Sequence, residues 1–290
     1  MDPVGLLRSW EQNPDRDGEL VHVHEQPARQ ARFGQVDLDP LLAARLTERG
    51  IDLLYRHQAR AIAAVRSGTN VVLAAGTAAG KSLCFQVPIL EAILKDPKTT
   101  SLLIYPTKAL AQDQAASLRR FNLPGAHPAI YDGDTELGER SGLRKRANLV
   151  LTNPDMLHVG ILPFHDRWAD FLHRLAFIVV DEVHSLRGIF GTHVAMILRR
   201  LRRLAAHYGS SPQFILSSAT IGNAGDLARR LTGADVEVID GDDSPSGRRV
   251  FALWNPPLID ADLGRRRSPL GESAEIFGDL VSEGYRTIAF

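Results

Sequence analysis

Short, almost wholly apolar runs alternate along the chain with longer stretches that mix apolar and polar positions at helical spacing. Strands that are buried on both faces of a parallel sheet give runs of this kind. We therefore predict strands at Asn70–Ala75, Ser101–Pro106, Ala129–Asp132, Asn148–Thr152, Phe177–Asp181, Gln213–Ser218 and Val236–Asp240, and helices notably at Ser82–Lys95, Leu110–Phe121, His193–His207 and Gly225–Leu231. This alternation predicts an α/β fold with a doubly wound parallel sheet and helices on both of its faces.

The two ends of the chain depart from this rhythm. Residues 1–30 are polar and irregular, which predicts a weakly structured N-terminal extension before a main domain at residues 31–243. The turn-forming residues 241–247 predict a boundary. Residues 244–290 are then a linker with the first elements of a further domain, namely strands at Val250–Trp254 and Thr287–Phe290 around a helix at Glu272–Glu283. An apolar strand without a partner is a poor terminus, so we expect the sequence to be the front part of a longer protein.

Composition narrows the possible functions. The 290 residues carry 34 basic and 34 acidic side chains, so any contact with nucleic acid needs a local patch or backbone amides. A single cysteine, Cys84, excludes an internal disulfide and a four-cysteine zinc site, and it favours a reducing compartment such as the cytoplasm. The opening residues do not resemble a signal peptide, and no apolar run approaches the roughly 18 residues of a membrane span.

A loop of small residues at Ala75–Ser82 follows one predicted strand and precedes a predicted helix. Small residues allow backbone amides to surround phosphates, a lysine reaches the β and γ oxygens, and a hydroxyl ligates Mg²⁺. Ala75 and Ala78 replace two glycines that are usual in such loops. We predict an ATP and Mg²⁺ site that includes Thr77, Ala78, Ala79, Gly80, Lys81 and Ser82. The alternative is a small-residue turn between strand and helix.

Two adjacent acids, Asp181 and Glu182, end another apolar run. We predict that Asp181 holds Mg²⁺ and that Glu182 orients and deprotonates the attacking water, at a strand tip neighbouring the loop of Lys81. A solvated acidic strand end is the alternative. Upstream, the Gln58 amide is a candidate for reading the adenine edge and Tyr55 for stacking on the ring. A helix N-terminus with a core tyrosine explains those two residues equally well.

The order of the motifs resembles that of superfamily 2 helicases. Ala75–Ser82, Asp181–His184 and Ser218–Thr220 are similar to motifs I, II and III, and Tyr105–Leu110, Tyr131–Thr135 and Thr152–His158 are similar to motif Ia, the Gly-Asp-Thr element and motif Ib. The segments Leu54–Gln58, Thr77–Ser82 and His184–Val194 look like those of the bacterial MrfA/YprA group and the mycobacterial SftH helicases. The resemblance implies a RecA-like domain followed by the beginning of a second RecA-like domain at residues 244–290.

The same resemblance implies roles for further residues. Those expected to hold the sugar-phosphate backbone of one nucleic-acid strand are Thr107, Lys108, Gly133, Asp134, Thr135, Thr152 and Asn153, and those expected to couple this strand to the ATP site are His184, Ser218 and Thr220. Hydroxyls and amides at strand ends grip phosphates without reading sequence. Each residue expected to hold the sugar-phosphate backbone also fits a turn or a helix cap.

The implied activity is that of an ATP-dependent DNA helicase that translocates 3′-to-5′ in DNA repair. The expected partners are single-stranded DNA, or DNA with a 3′ tail, and a second RecA-like domain of the same chain, and we expect a monomer that does not bind a membrane. Arginine fingers of that second domain are worth roughly 10³–10⁵ in rate, so this part alone is expected to be nearly inactive. An RNA helicase or remodeller, a non-hydrolysing nucleic-acid-binding regulator and a P-loop kinase for a small molecule remain as alternatives.

Overall fold

The structure is a computed structural model that describes residues 3–16, 18–76 and 78–290. The strands are Leu20–Gln26 (β1), Phe33–Gly34 (β2), Leu54–Tyr55 (β3), Val71–Ala74 (β4), Thr100–Ile104 (β5), Pro128–Ile130 (β6), Leu149–Thr152 (β7), Leu175–Val180 (β8), Gln213–Ser218 (β9), Glu237–Asp240 (β10), Arg249–Trp254 (β11), Leu258–Asp260 (β12) and Arg265–Arg266 (β13). The described residues form two compact units, one made of residues up to Gln30 with Pro245–Phe290, the other of Ala31–Ser244.

Helices connect these strands. The α-helices are Pro3–Glu11 (α1), Pro40–Thr47 (α2), Arg56–Arg66 (α3), Lys81–Lys95 (α4), Lys108–Arg119 (α5), Leu137–Arg146 (α6), Pro154–Met156 (α7), Ala169–His173 (α8), Gly188–His207 (α9), Ala224–Thr232 (α10) and Pro269–Ser282 (α11). Short 3₁₀ helices lie at Pro14–Arg16, Leu162–Trp168 and Val183–Ser185, and a π-helical turn lies at Leu157–Ile161.

The larger unit is built on a seven-stranded sheet in the order β10-β4-β9-β8-β5-β7-β6. Every neighbouring pair in this sheet is parallel. Each of the seven apolar runs between residues 70 and 240 overlaps one of these strands, so the predicted parallel sheet is confirmed. Because all the strands are parallel, their carboxyl ends lie at a single edge of the sheet.

Side chains on the two faces of the sheet enter two separate hydrophobic cores. On β4, Val72 and Ala74 pack into the core that includes α9 and α10, whereas Val71 and Leu73 pack into the core that includes α3, α4 and α5. Successive side chains of a strand point to opposite faces, so helices cover the sheet on both sides as the sequence predicts. Cys84 is fully buried in α4, and burial raises the pKa of its thiol to about 12.

The smaller unit corrects the prediction for residues 1–30, which contain helix α1 and strand β1 rather than an irregular extension. β1 pairs antiparallel with β11, and Trp10 makes an edge-to-face contact with Trp254 at 5.7 Å between ring centroids. The guanidinium of Arg16 lies over both rings, at 5.0 and 5.5 Å from their centroids. The pattern of apolar runs misses β1 because most of its residues are exposed.

The C-terminal part of this unit differs from the prediction in a second way. Helix α11 covers the predicted helix, but the described residues 285–290 form no strand. Glu272 on α11 is buried and accepts hydrogen bonds from Trp254 Nε1 at 3.0 Å and from Arg267 Nη1 at 2.8 Å. An apolar run becomes a strand only where a partner strand satisfies its backbone groups, and none of the described strands pairs with these residues.

Within the described ranges, no helix combines the length and apolar character that crossing a membrane requires.

Gly191 near the start of α9 generates a stability prediction. A Cβ at this position would lie 2.4 Å from the carbonyl oxygen of Leu186, a backbone atom that cannot move aside. We expect Gly191→Ala to lower the free energy of unfolding by about 1–3 kcal/mol, measured by urea denaturation. Gly138→Ala on α6 is the control, because its Cβ meets nothing within 4 Å. An unchanged unfolding midpoint for Gly191→Ala would contradict this close packing.

Candidate nucleotide and nucleic-acid site

Three strand tips at the carboxyl edge of the sheet form the centre of the candidate site. The small-residue loop follows β4, the pair Asp181 and Glu182 follows β8, and β9 lies between these two strands. In register, Ala74 is opposite Ser218, and Val180 is opposite Leu216. The predicted adjacency therefore needs a correction, since the two tips share an edge but stand two strand spacings apart, about 10 Å.

The loop is held in shape by its own lysine and by one glycine. Lys81 Nζ donates hydrogen bonds to the carbonyl oxygens of Ala75 at 3.0 Å and Gly76 at 2.9 Å. Gly80 has φ +72°, and a Cβ there would lie 2.5 Å from Gln58 Nε2. Ala78 adopts φ +62°, a left-handed conformation more common for the glycine that it replaces. Helix α4 begins at Lys81, whereas Thr77 lies outside the described residues.

Two buried side chains of α3 support the loop from beneath. Gln58 Nε2 donates to the Gly80 carbonyl at 2.9 Å, and Gln58 Oε1 accepts from the Tyr55 amide at 2.8 Å. The His57 ring bridges the loop and the segment after β10. Its Nε2 lies 2.9 Å from the Ala79 carbonyl oxygen, and its Nδ1 lies 3.2 Å from the backbone nitrogen of Asp243. Because the Asp243 N–H donates to Nδ1, Nε2 carries the proton and donates to Ala79.

These contacts give Tyr55 and Gln58 positions beside the loop. The Tyr55 ring stacks with Phe33 at 5.6 Å and with His57 at 5.8 Å between centroids, and Phe33 is half exposed. Gln58 is buried and its amide holds Gly80 in this structure, so its contact with adenine stays a prediction. Sequence reasoning missed His57 and Phe33. In the sequence, the only indication of a role for His57 is its position next to Gln58, and nothing in the sequence indicates a role for Phe33.

The acidic strand end is fixed by the neighbouring strand. Asp181 is buried, and its Oδ1 accepts hydrogen bonds from the Ser217 hydroxyl on β9 and from the Glu182 amide at 2.9 Å. Glu182 has φ +52°, a strained conformation of the kind found at functional sites. Across the site, the Ser82 hydroxyl accepts from Gln114 Nε2 at 3.0 Å. Ser217 and Gln114 were not predicted, because both act through contacts distant in sequence.

The two residues predicted to ligate a metal have suitable chemistry. Asp181 offers a carboxylate and Ser82 a hydroxyl oxygen, which are hard ligands of the type that Mg²⁺ prefers. The described residues hold no group of three or more His, Cys, Asp or Glu side chains arranged for a metal ion. A Mg²⁺ bound together with nucleotide does not need such a group, because it uses one or two carboxylates with phosphates and waters. The donor set therefore fits Mg²⁺ with ATP.

His184 lies between the acidic pair and the segment after β9. Its Nδ1 is 3.1 Å from Glu182 Oε2 and 3.1 Å from the backbone nitrogen of Ala219. One ring nitrogen cannot donate to a carboxylate and accept from an amide at the same time. The tautomer of His184 therefore decides which partner it binds. The Ser218 hydroxyl is buried without a hydrogen bond among the described residues, and Thr220 is exposed.

The residues predicted to hold a nucleic-acid strand lie around two turns at the same edge. Thr107 is exposed and caps α5, where its hydroxyl accepts from the Leu110 amide at 3.4 Å. Lys108 Nζ forms an ion pair with Asp134 Oδ1 at 2.7 Å, and this hydrogen bond raises the pKa of Lys108. The Thr135 hydroxyl accepts from the Asp132 amide at 3.0 Å and stabilises the turn, and Gly133 is exposed within it.

Thr152 requires a correction. Its side chain is only 1% exposed, and its hydroxyl donates to the Tyr131 carbonyl at 2.7 Å. A hydroxyl placed in this way stabilises the pairing of two chain segments and does not reach a phosphate, so the structure does not support the predicted contact. Asn153 is half-buried and caps α7, with Oδ1 accepting from the Met156 amide at 2.8 Å.

A parallel sheet with a small-residue loop at one strand tip and paired acids at a nearby tip defines a P-loop protein of the RecA-like class. The chain belongs to the DEAD/DEAH box helicase family, whose model matches residues 55–227. This match confirms the family that the motifs predict.

Individual relatives agree with this membership. The chain is 41% identical to the ATP-dependent helicase YprA of Bacillus subtilis in an alignment of 276 positions that covers 93% of this chain and 37% of the relative. It is 37% identical to the ATP-dependent helicase hrq1 of Schizosaccharomyces pombe in an alignment of 300 positions that covers 98% of this chain and 28% of the relative. A crystal structure of the DUF1998 helicase MrfA bound to DNA matches with TM-score 0.90 and 39% identity, over 97% of this chain and 38% of that one. The chain therefore spans well under half the length of these proteins.

The His57 bridge generates a prediction. Replacing His57 by Leu leaves the Ala79 carbonyl and the Asp243 amide without their partner, and each buried unpaired polar group costs about 1–3 kcal/mol. We expect His57→Leu to lower the free energy of unfolding by about 2–4 kcal/mol in urea denaturation. His193→Leu, at an exposed histidine of α9, serves as the control and should change it little. Equal free energies of unfolding for the two variants would mean that the hydrogen bonds of His57 do not stabilise the fold.

Proposed function

We propose that this chain is the ATP-binding domain of a DNA helicase or translocase that couples ATP hydrolysis to movement along one DNA strand. The observation that carries the proposal is the common sheet edge of the Lys81 loop and the Asp181–Glu182 pair, with β9 between them and Ser217 holding Asp181. Two strand spacings of about 10 Å leave room for a triphosphate and its metal between the two tips.

The residues of the site divide the chemistry among them. Lys81 exchanges its two loop carbonyls for the β and γ phosphate oxygens, while Ser82 and Asp181 hold Mg²⁺. Bound Mg²⁺ neutralises charge that develops on the phosphates. Glu182 orients the attacking water and accepts its proton, and His184 positions Glu182 when its Nδ1 donates to Oε2. When Nδ1 instead accepts from Ala219, the imidazole links the acidic pair to the segment Ser218–Thr220.

DNA is the nucleic acid that the relatives favour. The MrfA structures with TM-scores of 0.90 and 0.89 are described as bound to DNA, and the second of them also as bound to AMPPNP. More distant relatives are named ATP-dependent DNA helicases. Translocation in the 3′-to-5′ direction, a role in DNA repair and action as a monomer are further parts of the proposal and rest on resemblance alone. We also propose a cytoplasmic location, which the single cysteine favours.

The second motor domain completes this proposal. We propose that residues 244–290 lead into a second RecA-like domain, which closes over the nucleotide and supplies arginine fingers. Within this segment, β11 pairs antiparallel with β1, and the described residues 244–290 form no parallel strand pair. The experiments below therefore use the full-length protein.

Substitutions at the two central residues test the hydrolysis. We expect Glu182→Gln to bind ATP as the unaltered protein does but to hydrolyse it about 10²–10⁴ times more slowly, because the base is lost while the phosphate contacts remain. Lys81→Ala should lose nucleotide binding or turnover. Glu139→Gln, at an exposed carboxylate of α6, is the control. Calorimetry with a non-hydrolysable analogue and steady-state phosphate release measure the two effects, and normal turnover by Glu182→Gln would rule out this residue as the base.

The substrate class is tested by stimulation of ATPase activity. We expect single-stranded DNA to raise the rate of phosphate release and RNA of the same sequence and length to raise it much less. The two polymers differ by the 2′-hydroxyl, which a protein can sense at a given site. Greater stimulation by RNA would identify an RNA helicase, and the absence of stimulation by either polymer would point to a regulator that does not translocate.

A further inference from the structure

A cationic cavity lies at the amino-terminal edge of the sheet, away from the nucleotide loop. Its volume is about 520 Å³, and its wall includes Thr100 at the start of β5, Asn148 just before β7 and Arg174 just before β8. The nucleotide loop follows the carboxyl end of a strand in the same sheet. A strand of the length of β5 spans about 17 Å, so this cavity is separate from the ATP site.

The charged side chains of this cavity are mostly unpaired. Six lysine and arginine side chains and two carboxylates, Asp166 and Asp170, line it. Among the described residues, five of these cations make no side-chain hydrogen bond or ion pair, namely Lys98, Arg144, Lys145, Arg146 and Arg174. Clustered cations without carboxylate partners raise the local potential and attract anions.

A buried donor in the cavity wall also lacks a partner. Trp168 is 2% exposed, and its indole Nε1 makes no hydrogen bond in the described part of the chain. Buried polar groups in native proteins are nearly always paired, so an unpaired indole N–H needs an explanation. An acceptor oxygen brought in by a ligand supplies one.

A second cavity of about 460 Å³ adjoins the first along α6. The two cavities share Arg144, Arg167 and Trp168, and the second is also lined by Tyr131 and Arg140. Arg140 Nε donates to the Thr135 carbonyl at 3.0 Å, so this cavity borders the turn that was predicted to hold nucleic acid. The residues that line the two adjoining cavities therefore extend from that turn to the opposite edge of the sheet.

The second cavity has the apolar character that bases require. The exposed residues Leu137, Val159 and Phe164 line it, and the guanidinium of Arg167 lies 5.1 Å from the centroid of the Phe164 ring. Proteins that bind single strands combine an exposed aromatic platform for bases with cations that follow the backbone. A duplex hides its base faces, so this combination favours a single strand.

We propose that the two cavities form a binding tract for single-stranded nucleic acid. Bases pack against Phe164 and its apolar neighbours, phosphates pair with Arg144, Arg146 and Arg174, and the Trp168 indole donates to a phosphate oxygen. The inference extends the proposed function, on which it rests, because it lengthens the path of the strand beyond the contacts of Lys108 and Asn153.

The test measures binding of labelled oligonucleotides to the full-length protein by fluorescence anisotropy, with the nucleotide site filled by Mg²⁺ and AMPPNP. Oligonucleotides of about 4 and about 16 nucleotides distinguish a short site from an extended one. The variant Arg144→Ala/Arg174→Ala removes two unpaired cations from the tract. Its control, Arg229→Ala/Arg230→Ala, removes two arginines from α10, which does not line either cavity.

We expect the tract variant to bind the long oligonucleotide roughly tenfold more weakly than the control and the short one equally well. The slope of log affinity against log salt should fall in magnitude by about 1.4, or about 0.7 for each lost phosphate contact. Trp168→Phe, which keeps the aromatic packing, should weaken the long oligonucleotide only. If that variant fails to fold, the arginine pair still decides the question, because both arginines are outside the hydrophobic core.

Equal affinities and salt slopes for the tract variant and its control would overturn the inference. So would loss of pyrophosphate binding in the tract variant without any change for the long oligonucleotide, because the ligand would then be a free polyphosphate. The variant Lys108→Ala distinguishes a failure of the tract proposal from a failure of the proposed function. If Lys108→Ala weakens both oligonucleotides while the tract variant equals its control, the proposed function stands and the tract alone is rejected.

Discussion

The parallel arrangement of seven strands is the constraint on which the candidate site depends. Parallel strands place all their carboxyl ends at one edge, so segments far apart in sequence meet there. The loop after β4, the acids after β8 and the serines of β9 are brought together in this way. Because buried apolar side chains on both faces hold the central strands in place, the hydrophobic cores set the spacing of the candidate site residues.

Polar contacts below the edge then adjust what the sheet brings together. Gln58 and His57 hold the carbonyls of Gly80 and Ala79, and Ser217 holds the carboxylate of Asp181. Each of these contacts uses a buried group, in surroundings where a hydrogen bond is strong and an unpaired group is costly. The loop is therefore shaped before nucleotide binds, which lowers the entropy that binding must overcome.

Sequence patterns predict the features of this molecule that burial or a local motif dictates. The seven strands of the parallel sheet, the helices α4, α5, α9 and α10, and the family itself follow from them. Strand β1 is not predicted from the pattern of apolar runs because its side chains are mostly exposed. Its position is set by pairing with β11, a strand more than 200 residues away in sequence. Thr152 was misassigned for a related reason. A strand places alternate side chains on opposite faces, and only the three-dimensional register shows that this hydroxyl turns inward to Tyr131.

The burial of Cys84 has a practical consequence for studying motion in this protein. Thiol reagents attack the thiolate, and a fully buried thiol whose pKa is raised to about 12 remains protonated and out of their reach. Cysteines introduced at exposed positions of each compact unit can therefore carry fluorescent dyes without prior removal of the native residue. Distances between labelled positions then become accessible to energy-transfer measurements on a chain that keeps its native cysteine.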